Sequence, residues 1–196
     1  MADSSIEICN RALVLVRAAT IDQFDNISQG SSTEEIVCKT LYESQVQAAL
    51  SKMPWSFSTT SDQLSRLIQT PEHVWDAAYQ KPDFSLHIQS VQVNGMDIDY
   101  EIQEDNILCN ALESDEVYCD YTFRADEAVW PPYFKQYLYF KLAALFAIPC
   151  GGQETIATHY TNLAEVEFRL AKNMDSQADT AERVTPRRLT GARRGV

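Results

Sequence analysis

The chain has 196 residues, 45% hydrophobic and 22% charged, with 28 Asp and Glu against 16 Lys and Arg, a formal net charge of −12. That composition suits a chain with one sizeable core, and no apolar run approaches the ~20 residues that a membrane-spanning helix needs. The acidic balance argues against wrapping DNA, because phosphate affinity rests on Lys and Arg, and the opening MADSSIEICN, with neither a basic start nor an apolar core, argues against a secretory signal.

Ser4 and Glu7 stand at capping-box spacing, and Ile6, Cys9, Leu13 and Val16 recur every three or four residues. This predicts a helix ending near Ala18. The stretch from Thr20 to Gly30 is polar and loop-like. Ser32 and Glu35 repeat the capping box ahead of Cys38, Leu41, Tyr42, Val46, Ala49, Leu50 and Met53, a second helix that Pro54 stops. Trp55 and Phe57 read as core anchors. From Ser58 to Tyr79 the pattern is weak, with a short helix over Leu64 to Ile68 as the best reading. Pro71 and Pro82 interrupt it.

Period-two alternation then takes over, in Phe84, Leu86 and Ile88, in Val91 and Val93, in Ile98, Tyr100 and Ile102, and in Val117, Cys119, Tyr121 and Phe123. Asn94-Gly95 is a strong hairpin signal. These residues predict a small antiparallel β module that closes as a sandwich or lies on the helices. Trp130-Pro131-Pro132 opens another helix, in which Phe134, Tyr137, Leu138, Phe140, Leu142, Leu145 and Phe146 surround the axis, as in a buried helix. Pro149 and Gly151-Gly152 end it. A last helix starts near Gln153, with Ile156, Tyr160, Leu163, Leu170 and Met174 on one face. Asp175 to Thr180 is polar and is expected to fray.

The expected fold is therefore α+β: an antiparallel bundle of about four helices (residues 1–82 and 125–180) with a small inserted antiparallel β module (83–124) and an extended basic C-terminal tail (181–196). The last fourteen residues hold five arginines and no acid. Without those five, eleven bases face 28 acids. Arg183, Arg187, Arg188, Arg193 and Arg194 alternate with apolar Val184, Pro186 and Leu189, and Pro186 favours an extended backbone. Such a strip suits docking along a protein groove or a sheet edge. An acidic neighbour, a second copy included, is the expected partner, with a DNA-binding arm and an inert disordered end as the other readings of such a terminus.

Signals for chemistry are sparse. The cysteines Cys9, Cys38, Cys109, Cys119 and Cys150 are scattered, without CxxC, and read as small buried hydrophobes of a reducing compartment. A Cys109–Cys119 bridge requires the two to face each other across strands. His73, His87 and His159 stand at no metal-like spacing. GxSxG, HExxH, P-loop and GxGxxG motifs are all missing. Asp97 with Asp99, and Glu165 with Glu167, are the acid pairs that a glycan hydrolase would need across a cleft. With this many acids, such pairs arise by coincidence and read first as solvated faces. No catalytic residue, metal or cofactor is expected.

Several segments in order carry a resemblance. They are Asn10-Arg11-Ala12-Leu13, Leu41-Tyr42, Pro54-Trp55-Ser56-Phe57, Tyr79 and Pro82, then Trp130 to Phe134, a Leu-Ala-Ala helix before Pro149, and Tyr160, Leu163 and Gln177. Over about residues 5–178 the chain resembles the head-to-tail adaptors of tailed bacteriophages, the tail tubular protein A-like group. The resemblance implies a helical bundle with an inserted β module, and a homo-oligomeric ring, a dodecamer, located in the virion neck. The portal protein would sit above the ring and a nozzle protein below. Double-stranded DNA would leave through the lumen without sequence-specific binding, and no membrane would be involved. It implies no catalytic residues. The arginine-rich terminus matches no family motif, so its portal-docking role comes from chemistry and position. Two alternatives stand beside this reading: a virion-associated peptidoglycan hydrolase using paired carboxylates, and a DNA-binding regulator whose tail grips phosphate.

Overall fold

In the computed structural model, which describes residues 4–23, 31–68, 71 and 74–178, both capping boxes are made. Ser4 Oγ accepts from Glu7 N–H at 3.3 Å while Glu7 Oε2 accepts from Ser4 N–H at 2.9 Å, starting α1 (Ser5–Leu15). Ser32 and Glu35 do the same at 3.2 and 3.0 Å, starting α2 (Thr33–Leu50). Each box satisfies two backbone donors that a helix start otherwise leaves open. Later come α3 (Pro132–Phe146) and α4 (Glu154–Ala178).

The central helix is α3, which touches the other three. Phe134, Tyr137, Leu138, Leu142, Ala143 and Phe146 are buried along it. Leu145, expected inside, is 39% exposed, so α3 has one open flank. Trp55, just past α2, is fully buried. Its indole N–H donates to Ala49 O at 3.0 Å, and its ring stands edge-on to Phe134 and Phe168. That bond meets the polar requirement of a buried Trp while the ring fills the core.

Seven strands follow in two antiparallel sheets. The first has the order β1–β7–β3–β4 and the second β2–β6–β5, with β1 Thr59–Gln63, β2 Ala77–Gln80, β3 Ser85–Val93, β4 Met96–Asp97, β5 Tyr100–Gln103, β6 Asn106–Cys109 and β7 Val117–Phe123. Buried Ile88, Val91, Val117, Cys119 and Tyr121 of the first sheet share a core with Ala77, Tyr79, Ile107 and Cys109 of the second. Asn94 and Gly95, both at positive φ, make the two-residue turn between Val93 and Met96.

This overturns the expected small β insertion. The class is α+β, but the sheets are larger than a small module, and strands β1 and β2 both precede residue 83. The expected short helix over Leu64–Ile68 is absent as well; there Arg66 bridges Tyr79 in antiparallel fashion. Thr59–Gln63 carries no apolar alternation because β1 is an edge strand that pairs with β7 through its backbone. Phe84 also departs from expectation. It lies outside the strands at φ 60° and is 88% exposed.

Helices and sheets meet at the end of β7. Phe123 packs against both cores. Arg124 follows and clamps the junction: its Nε donates to Glu43 Oε1 at 3.0 Å and an Nη to Glu127 Oε1 at 2.6 Å. Tyr42 Oη donates to the same Glu127 oxygen at 2.9 Å. Burial alone would lower the Arg124 pKa, but the two carboxylates outweigh it and hold the guanidinium protonated. Arg124 also holds the Glu43 carboxyl below the usual carboxylate range.

Candidate functional site

An exposed apolar stripe, a buried clasp and a groove lie on α1, α3 and α4. The 25-residue α4 packs inward through Ala157, Ala164 and Ala171, seven residues apart, with Phe168 between the last two. Small residues let α4 lie close along α3. Of the larger apolar residues expected on one face, Ile156 and Tyr160 pack against the core, while Leu170 and Met174 turn outward, 50% and 54% exposed. Val166, also exposed, completes a stripe at four-residue spacing.

Asp175, expected to fray, is 3% exposed. Its Oδ2 accepts from Ser56 N–H at 3.0 Å, and its Oδ1 accepts from Ser56 Oγ and from Tyr133 Oη, each at 2.8 Å. Burial and then this bond push the Tyr133 phenol up to about 12. Three donors from two other segments converge on one carboxylate, so the last turn of α4 is fastened to the start of α3 and to the Pro-Trp-Ser-Phe segment. The clasp was legible in principle, because Asp175 continues the Ala157–Ala164–Phe168–Ala171 pattern by a further four residues.

Between α1 and α3 lies a groove of about 570 Å³ lined by Glu7, Arg11, Val14, Leu15, Tyr139 and Phe140, among others. Asn10 of the Asn-Arg-Ala-Leu segment does a different job. Its amide holds Ile21 twice, accepting from Ile21 N–H and donating to Ile21 O, each at 2.8 Å. This fixes the chain after α1. Arg11 Nη1 donates to Tyr139 Oη at 3.0 Å and so joins α1 to α3.

The residues expected to dock a partner, Arg183, Pro186, Arg187, Arg188, Leu189, Arg193 and Arg194, lie outside the described residues. What the fold places is their point of departure, three residues beyond Asp175 at the end of α4. The acid pairs fall apart. Asp97 and Asp99 are exposed on and beside β4, and Glu165 and Glu167, two apart on a helix, project in different directions. His87 and His159 are exposed, while His73 lies outside the described residues. Cys109 and Cys119 are free and sit in different sheets. Among the described residues no group of three or more His, Cys, Asp or Glu is gathered as a metal ion needs, and no helix is long and apolar enough to cross a membrane.

The chain matches no known family model and no curated protein.

Proposed function

We propose that this chain is a structural head-to-tail adaptor of a bacteriophage virion. It joins copies of itself into a ring between the portal and the next tail component, a nozzle protein, and DNA leaves through the lumen. The observation that carries the reading is the long α4 strut. An unpartnered apolar stripe runs along it, its last turn is fastened by buried Asp175, and it leads into a segment with five arginines.

The rest is consistent chemistry. A ring made by head-to-tail contact needs two unlike surfaces on each copy. The α4 stripe and the α1–α3 groove are such a pair. The acidic body disfavours adhesion to the duplex that would slide past it. A cationic segment departing from a fastened helix end can reach an acidic portal surface without loosening the bundle.

The test removes the segment alone. Residues 1–182 should stay folded, with helix content matching the full chain by circular dichroism, yet fail to join purified portal rings in a co-sedimentation assay. Normal joining by the truncated chain would overturn the docking role. Electron microscopy of particle necks without a collar of this protein would overturn the adaptor reading itself.

A further inference from the structure

The helical layer holds a second feature that ring assembly does not use. An open cavity of about 190 Å³ lies where α2, α3 and α4 meet. Gln45, Lys52, Tyr137, Lys141, Thr161 and Glu165 line it, with alanines and Leu145 completing the wall.

Lys52 and Lys141 both line this space. The Lys141 ammonium donates one long hydrogen bond, 3.4 Å, to Gln45 O. That of Lys52 lies 3.9 Å from the Phe168 ring centre and 5.7 Å from that of Tyr137. Among the described residues neither forms an ion pair within 4 Å, although Glu165 stands at the same cavity. In a body with so many acids, two lysines at one cavity, neither paired with the Glu165 carboxylate on its wall, make an arrangement that suits an anion. Gln45 and Thr161 add neutral polar groups to its wall.

We propose that this cavity is an oxyanion-binding site, taking a phosphate-, sulfate- or carboxylate-type anion between Lys52 and Lys141. The anion would replace mutual repulsion of the two lysines with two charge-assisted hydrogen bonds. Its source is either a free ion or an acidic side chain of another protein, and the same lysines serve both.

The site carries a built-in pH dependence. Burial first, and then the Lys52 charge, lower the Lys141 pKa from 10.5 to about 8. The other titratable groups facing it are Lys52 after α2, Tyr137 on α3 and Glu165 on α4. An anion binds the protonated form, so affinity should be full below pH 8 and fall as pH rises through that value. Glu165 opposes the incoming anion, so its neutral variant should bind more tightly.

Sulfate is the probe, because its charge does not change between pH 6.5 and 9.5. Isotope-labelled full-length protein is titrated with sodium sulfate at constant ionic strength set with chloride, and amide resonances are followed by NMR. Saturable shifts are expected around Gln45, Lys141 and Thr161, with at least fivefold weaker binding at pH 9.5 than at pH 6.5. Lys52→Met with Lys141→Met should abolish saturation, and Glu165→Gln should strengthen binding about twofold. A peptide rich in glutamate is the second arm. Tighter binding than acetate, in competition with sulfate, identifies a protein carboxylate; binding no better than acetate identifies a free ion. Shifts that fail to saturate, or that survive unchanged in the double lysine variant, would overturn the site. Should the double variant misfold, an unchanged sulfate affinity in Glu165→Gln together with pH-independent binding would overturn it equally.

Discussion

Asp175 shows how one residue can fasten a helix to its neighbours. A carboxylate that is 3% exposed must have its oxygens satisfied, and here three donors do so. Asp175→Ala would leave the Ser56 N–H and the Tyr133 hydroxyl without their acceptor inside the fold. The expected loss is about 1–2 kcal/mol, because Ser56 is exposed and Tyr133 half-buried, so water takes up part of what the carboxylate leaves. Urea denaturation followed by tryptophan fluorescence should show it as a lower midpoint at unchanged slope, and Asp175→Asn should recover part of the loss. A change within 0.5 kcal/mol would mean that water takes over the carboxylate's role. In sequence, Asp175 reads with the polar residues after it. What hid it is that a buried acid and a solvated one look alike until their donors are in place. Ser56 and Tyr133 lie 119 and 42 residues away. Trp55 and Phe134 were readable because large aromatics are buried for their own sake.

At the scale of elements, local rules predicted those that local rules build. Both capping boxes and the Asn94-Gly95 turn are decided by neighbours a few residues away and are seen in the structure, whereas α2 ends at Leu50, short of the expected stop at Pro54. Strand β1 and the face of α4 are decided by what lies across from them. Thr59–Gln63 is a strand because β7 presents an open edge, and α4 buries alanines because α3 is close. One turn breaks its local rule. The two-residue loop joining Gln103 to Asn106 places Glu104 at φ 55°, a left-handed conformation that side chains resist. Glu104→Gly relieves that resistance at the expense of added freedom in the unfolded chain. The net gain should be about 0.5–1 kcal/mol. A thermal midpoint raised by a few degrees, with the circular dichroism spectrum unchanged, would bear this out. A lowered midpoint would show that the Glu104 side chain contributes more to the folded state than its backbone costs.

For the whole molecule, charge and apolar surface pull against each other. Each copy carries a net −12, so copies repel at long range, while the α4 stripe and the α1–α3 groove favour contact at short range. Salt separates the two effects. The screening length falls from about 30 Å at 0.01 M to about 8 Å at 0.15 M, which removes repulsion between bodies but leaves apolar burial intact. Self-association of the full chain should therefore strengthen with salt, the reverse of what arginine-to-phosphate binding shows. Leu170 stands at the middle of the stripe and is half exposed, so Leu170→Glu should change fold stability by less than about 0.5 kcal/mol. In an assembled ring, the same change would bury an unpaired charge in every contact, which no registry of the copies can avoid. Sedimentation velocity at several salt concentrations is the deciding measurement. Wild type should shift toward larger species as salt rises, and Leu170→Glu should remain a monomer throughout. A variant that associates as the wild type does would place the ring contact elsewhere, and association that weakens with salt would show that copies are held by charge and not by this apolar face.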